Sequence, residues 1–518
     1  MKVTFHSIWV SIFLSILIVL GVSCKRTHQA SQSDSHITDI VFLQINDVYE
    51  IAPLENGKVG GMARVAQIKK ELLAQNPNTY SFLAGDFLSP SLIGTIKVDG
   101  ERLAGKQMVD IMNKVGIDYV CFGNHEFDIK EYQLLNRINE SEFTWIAGNV
   151  KHKVDGKLIP FEQERGGKST PLNEYEIISL KGANGQEVKI GLLSVCLPFN
   201  KTSFVHYEDV IEHAKKTYAT LSAQTDFVIG LTHQFMGEDE DLARAIPQLP
   251  LIMGGHDHHH MISKVGKTTI TKADANAKSA YVHKISFNHK TQKVSVSSEL
   301  VKVDEGVAFE PQVKASVDQW NQKVEDIFTA KGISLTEVIY TTKEPLDGRE
   351  SSIRKGPTNL GKMITQAMYN AKKGADAAIL NSGSIRIDDQ LSGNITQLDV
   401  LRVLPFGGPT YNVNMKGSLL KQTLEVGLGE NKGIGGYLQV YKIEQKAEGF
   451  YIDGSPLNED EVYNIAIGSF LMSGRESNLD FLNEKNPAVV SIDKPKEDDL
   501  TDSRRDIQHV LIQFMKQQ

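Results

Sequence analysis

An excess of basic charge is what this 518-residue sequence most plainly lacks: 56 Lys and Arg stand against 64 Asp and Glu, a net charge of −8. That balance excludes binding to DNA or another polyanion through a global field, so any affinity for phosphate must come from a local site. Cysteine is scarce too, with 3 residues. Cys121 and Cys196 each sit inside an apolar, strand-like run and read as buried, unpaired thiols, with a bridge as the alternative. No repeat of solenoid period occurs. The opening apolar stretch, Ile8 to Leu20, is short for a bilayer span of about 20 residues. A hydrophobic content of 41% with 23% charge is that of a soluble globular chain, and this length calls for two or three domains of about 100–200 residues.

What is there begins with an export signal. Lys2 precedes the apolar stretch, and Gly21-Val22-Ser23-Cys24 resembles a lipoprotein cleavage site in which Cys24 becomes the lipidated first residue. It departs from the usual pattern in having Gly21 where Leu is commonest, so a plain cleaved signal or an uncleaved anchor is the alternative. The expected division is a signal segment over 1–24, a polar tether over 25–37, an α/β domain over 38–305, a linker helix region over 306–334, and a second domain over 335–518. Val65, Ile68 and Leu72 share one face of a helix over Gly61–Leu73, and Met108, Ile111, Met112 and Val115 do so over Lys106–Val115. Val313, Val317, Trp320, Val324 and Ile327 mark an amphipathic helix over Pro311–Phe328, either the last of the first domain or a rod between domains. Lys496–Asp506 reads as a solvated loop.

Five strand-like runs end in metal-binding residue types. Asp47 follows Ile40–Ile45, Asp86 closes Ser81–Gly85, and Asn124-His125-Glu126 follows Tyr119–Gly123. His233 ends Phe227–Thr232, and His256 and His258 follow Leu251–Gly255. Short strands alternating with helices predict a layered α/β sheet that binds at its carboxyl edge. Carboxylate, amide and imidazole donors together suit a pair of divalent transition ions, which activate water against phosphorus. Taken singly, Asp47 and Asp86 are also ordinary turn or N-cap residues, Asn124 a left-handed turn residue, and His259 and His260 a solvent-facing run.

The ordered set Asn46-Asp47, Gly85-Asp86, Gly123-Asn124-His125-Glu126-Phe127-Asp128, Leu231-Thr232-His233 and Gly254-Gly255-His256-Asp257-His258 resembles the exported bacterial 5'-nucleotidase and UDP-sugar hydrolase family. Leu346-Asp347-Gly348-Arg349, Thr358-Asn359-Leu360-Gly361, Asn381-Ser382-Gly383-Ser384-Ile385-Arg386 and Pro405-Phe406-Gly407-Gly408 extend the likeness to the second half. The resemblance implies an α/β-β-α metallophosphatase sandwich followed by a smaller α/β substrate-recognition domain. It implies two divalent ions (Zn, Mn, Fe or Co) bridged by Asp86, with Asp47 and His258 on one and Asn124, His233 and His256 on the other. It assigns His125 and Asp128 to catalysis. It assigns Arg354 and Arg386 to phosphate, Asn381 to the base, Phe406 and Phe470 to a base sandwich, and Glu476 to the ribose. A core role for either Phe is the alternative.

The implied activity is release of phosphate from nucleoside 5'-monophosphates by in-line attack of a metal-activated hydroxide, outside the cytoplasm, in a periplasmic or cell-surface lipoprotein. UDP-sugar or 2',3'-cyclic-nucleotide hydrolysis is the alternative reaction. A lipid-tethered nucleotide-binding protein with little turnover is the alternative of another class. The expected partners are a nucleotide and a membrane, with no nucleic-acid polymer.

The chain departs from the family at Tyr49, where His is usual. A phenol is a poor ligand unless ionised, so Tyr49 is expected to stand aside with water in its place. Ser382 and Ser384 replace glycines, and Arg475 and Glu476 stand where Gly-Asp is typical.

Overall fold

The computed structural model describes residues 36–518 apart from positions 56, 99, 184, 200, 201, 331, 332, 497 and 500. The proposed lipidation site at Cys24 and nearly all of the tether lie outside the described residues. The first strand begins at Ile37, inside the stretch expected as tether, and His289 N donates to His36 O at 2.9 Å.

Two six-stranded sheets build the first domain. One runs in the order Lys293–Lys302, Ser279–Asn288, Ile37–Ile45, Thr79–Leu83, Tyr119–Cys121, Thr144–Ile146, and its last four strands are mutually parallel. The other runs Tyr175–Lys181, Glu187–Cys196, Phe227–His233, Leu251–Gly255, Thr268–Lys272, Met261–Val265, with a parallel centre. Their inner faces share one core that includes Phe42, Phe82, Ile190, Ile229 and Met253. Strands covered on both faces are apolar almost throughout, which is why these runs read as continuous and not alternating. Buried Gln44 ties the sheets together, donating to Gly254 O at 3.0 Å and Thr271 O at 2.9 Å.

Helices cover the outer faces. Met62–Gln75, Lys106–Val115 and Glu131–Glu140 pack on the first sheet, and Val210–Ser222 and Met236–Ala245 on the second. Helix Pro311–Thr329 buries Val313, Val317, Val324 and Phe328 in that first helical layer, and Trp320 Nε1 donates to Asp110 Oδ2 at 2.8 Å. Of the two readings left open for this helix, packing favours the last helix of the first domain.

In the second domain a five-stranded mixed sheet, ordered Leu438–Tyr441, Ala377–Asn381, Val462–Gly468, Thr410–Lys416, Val489–Asp493, has helices Asn359–Asn370 and Ile507–Met515 on one face and Gly417–Glu425 on the other. The Lys496–Asp506 stretch is not wholly solvated as expected. Arg504 is buried because its guanidinium bridges Asp502 at 2.7 Å, Asp493 at 2.6 Å and Asn412 Oδ1 at 2.9 Å. Cys121 and Cys196 are both free and buried. No helix among the described residues is long and apolar enough to cross a membrane.

Candidate metal centre and nucleotide cleft

The carboxyl ends of the parallel strands meet at one point. Chain reversal there forces Asp47 (φ 53°), Asp86 (φ 58°) and His256 (φ 78°) into the left-handed region, where a non-glycine residue is uncommon and strain gathers at functional sites. For Asp47 and Asp86 the turn reading therefore holds, and it is compatible with a ligand role for both carboxylates. The flanking glycines follow from close approach: a Cβ on Gly123 would lie 2.2 Å from Asp86 Oδ1, and one on Gly255 2.1 Å from Ala84 O.

Asp86 is central. Its Oδ1 accepts from His125 N at 2.8 Å, and its Oδ2 lies 3.1 Å from His233 Nε2 and 4.0 Å from His125 Nε2. Asp86, His233 and His256 offer donor atoms within 4.8 Å of one another, a group able to hold a metal ion. Asn124 Oδ1 is 3.1 Å from His256 Nδ1, while Asp47 Oδ2 accepts from His256 N at 2.9 Å. His258 Nε2 approaches Asp47 Oδ1 at 3.5 Å. All six expected ligands thus converge. Asp47 Oδ1 is buried without a hydrogen bond, an arrangement costly in itself and suited to a cation. The donor set of carboxylate, amide and imidazole fits divalent transition ions.

Burial pushes the Asp86 carboxyl up, but the imidazoles of His233 and His125 outweigh it and hold it well below the usual carboxylate range. Burial lowers His233, yet Asp86 raises it to about 9; burial likewise lowers His258, yet Asp388 and Asp47 raise it to about 10. His256 is pushed by burial and by neighbouring His233 toward the neutral form a ligand imidazole takes, whereas an ion would have to displace the protons that the carboxylates hold on His233 and His258.

Tyr49 points into the cluster. Its backbone N donates to Asn276 Oδ1 at 3.0 Å, which aims the buried side chain into the cluster. The hydroxyl lies 3.3 Å from Asp86 Oδ2 and 3.1 Å from His258 Nε2. Burial and the carboxylates of Asp86 and Asp47 push its ionisation well above the ordinary value, so it is a phenol that donates to Asp86.

His125 Nδ1 faces Asp128 Oδ2 at 2.5 Å, and Arg386 Nη2 donates to His125 Nε2 at 3.1 Å. A cavity of about 1330 Å³ runs from this pair into the second domain and takes in Arg354, Asn381 and Glu476. Phe406 and Phe470 line it at 52% and 42% exposure, so neither is a core residue. Arg354 is ion-paired to Glu350 but its Nε is buried without a hydrogen bond; burial and nearby Arg386 pull its pKa down to about 9. Asn381 and Glu476 bond each other, Nδ2 to Oε2 at 2.7 Å, while Ser384 Oγ donates to Asn381 Oδ1 at 2.7 Å. Arg475 lies over Phe470, 5.5 Å from the ring centre. His259 and His260 are exposed, as expected.

Several supporting residues escaped sequence reasoning. Glu126, though inside the His-Glu-Phe-Asp string, accepts from Asp86 N, Phe87 N and Gly123 N at 2.7–2.8 Å and so joins two ligand loops. Lys272, fully buried, donates to Gln234 O, to Gly255 O at 2.8 Å and to Asp257 at 2.7 Å, with Asp239 at 3.1 Å. It pins the strand ends that carry His233 and His256. Lys272→Met strands two carboxylates behind the site and is expected to destabilise the first domain by about 3–5 kcal/mol. A thermal melt unchanged from wild type would refute that assignment.

Comparison with known proteins agrees with this architecture. Residues 36–260 match the calcineurin-like phosphoesterase family, and residues 338–484 match the 5'-nucleotidase C-terminal domain. The 5'-nucleotidase of Bos taurus is 26% identical over 472 residues, covering 80% of this chain and 78% of its own. The trifunctional nucleotide phosphoesterase protein YfkN of Bacillus subtilis is 26% identical over 443 residues, 76% of this chain and 29% of its own. In structure, a 5'-nucleotidase precursor from Thermus thermophilus aligns over 92% of this chain and 96% of its own, with TM-score 0.72 and 20% identity.

Fold and site together define a two-domain metallophosphatase, a phosphoric ester hydrolase. The chain belongs to the calcineurin-like phosphoesterases that carry a 5'-nucleotidase C-terminal domain.

Proposed function

We propose that this enzyme releases phosphate from nucleoside 5'-monophosphates. The observation that carries the reading is convergence on one cavity: the ligand cluster, the His125–Asp128 pair, two arginines and two exposed aromatics all border it. Asp86 bridging, Asp47 and His258 on one side, and Asn124, His233 and His256 on the other would hold two divalent ions. When bound, such a pair supplies an acidified water and neutralises charge at phosphorus. The chain's own residues do the rest. Arg354 and Arg386 grip non-bridging oxygens through planar forks and align the ester for in-line displacement. His125, held on Nδ1 by Asp128 and beside Arg386, stands where it can stabilise charge on the phosphoryl or departing 5'-oxygen. Phe406 and Phe470 stack the base, and Asn381 and Glu476 contact the nucleoside. We also propose a first domain from 37 to 329, closed by the helix Pro311–Thr329, a second over 335–518, and export as a lipoprotein through Cys24, on the strength of the apolar segment and small residues before it.

The test is hydrolysis of AMP, UDP-glucose and a 2',3'-cyclic nucleotide, before and after chelation, with the nucleoside, nucleotide and sugar-phosphate products separated by chromatography. AMP is expected to be turned over with the highest kcat/KM, lost on chelation and restored by Mn or Zn. Intact AMP beside a cleaved diester or UDP-sugar would shift the reading to those substrates, and tight nucleotide binding without any turnover would make the chain a binding protein. Phe406→Ala and Phe470→Ala should each raise KM for AMP about tenfold, from base stacking of about 1–3 kcal/mol. KM values within twofold of wild type would remove both from the base site.

A further inference from the structure

One short loop of the second domain touches two histidines of the first. Arg386 reaches His125, and two residues on, Asp388 Oδ2 lies 2.8 Å from His258 Nδ1. Both oxygens of Asp388 are engaged, because Oδ1 accepts from Glu350 N at 2.7 Å. Its backbone sits at φ 42°, a conformation that costs energy for a residue with a Cβ. Lys278 of the first domain approaches its carbonyl at 3.5 Å, and Glu350 Oε2 stands 3.4 Å from the same His258 nitrogen.

His258 therefore lies between the domains. With Nδ1–H directed to Asp388, Nε2 turns inward to Asp47 Oδ1 at 3.5 Å and Tyr49 OH at 3.1 Å. The other oxygen of Asp47 is already taken by Asn46 Nδ2 at 2.8 Å and His256 N at 2.9 Å. A carboxylate on the far nitrogen of a ligating imidazole fixes its tautomer, orients the ring and raises its basicity. Here that carboxylate comes from the neighbouring domain.

We infer that Asp388 is a positioning residue, supplied by the second domain, that completes the Asp47–His258 side of the metal site when the two domains close. The inference rests on the two-ion reading above. Its consequence is linkage: whatever favours closure tightens the ion on this side, and that ion favours closure by the same factor.

The test uses metal-free full-length protein titrated with Co²⁺, followed by visible absorption and calorimetry, for wild type, Asp388→Ala and Asp388→Asn. Wild type is expected to bind two equivalents. Asp388→Ala should keep one at wild-type affinity and bind the other 10–100-fold more weakly. Asp388→Asn, whose single amide oxygen can accept from Nδ1–H only by giving up the bond from Glu350 N, should also weaken that equivalent, by no more than the alanine variant does. Two unchanged equivalents, or equal weakening of both, would overturn the role of Asp388. A wild-type protein that takes up fewer than two equivalents would instead bring down the two-ion reading itself. Should the alanine variant not fold, selective weakening of one equivalent in the asparagine variant decides the matter.

Discussion

Replacing His125 by alanine is expected to lower kcat for AMP by about 10²–10³-fold while KM and bound metal stay near wild type. The ring is held at both ends, by Asp128 at 2.5 Å and Arg386 at 3.1 Å, and it faces the cavity beside the ligand cluster. It is not among the six converging donors, so its loss should spare the metal. Arg354, Arg386 and the aromatic pair still bind the nucleotide, which leaves KM to them. What disappears is a group that acts on charge at the departing oxygen, an interaction made mainly in the transition state, and such a loss appears in kcat. Steady-state kinetics on samples matched for metal content would check it. A decrease of less than about tenfold would take His125 out of the chemistry and leave it as a second-domain contact.

Asp86→Asn should do something different. Asparagine tolerates the left-handed backbone at φ 58°, so the substitution removes charge with little disturbance of the loop. Asp86 Oδ2 is the atom on which His233 Nε2 at 3.1 Å and Tyr49 OH at 3.3 Å converge. Without that charge the site loses the carboxylate best placed to offset the charge of a bound cation. The expected result is loss of bound metal together with a fall in kcat/KM of several kcal/mol, about a thousandfold or more. Metal analysis by mass spectrometry on the same preparations used for kinetics separates this variant from His125→Ala. Retained metal together with retained turnover would remove Asp86 from the centre of the site.

The ligand residues were readable because each sits where a periodic, apolar segment stops. Phe227–His233 and Leu251–Gly255 are buried along their whole length, so a histidine at the end of one and just past the other marks the sheet edge in the sequence itself. The helix over Pro311–Thr329 was legible for the same reason, although its side of the domain boundary was not. The direction of Tyr49 was not legible because it depends on Asn276, 227 positions away, which holds its backbone. Lys272 and Glu126 gave little signal, since a lysine in a strand and a glutamate after a histidine are ordinary until burial shows what surrounds them.

Local order was therefore determined by the chain alone: which segments are strands, where they end, and which donor types those ends carry, all of which follow from periodicity and turn chemistry over a few residues. Tertiary structure decided what those ends face. The contact between His258 and Asp388 spans 130 positions and two domains, and the buried cation of Lys272 acts only because two strand ends and two carboxylates close around it. Such contacts obey distance in space and the cost of leaving buried charge unpaired, and neither is written in the spacing of residues along the sequence.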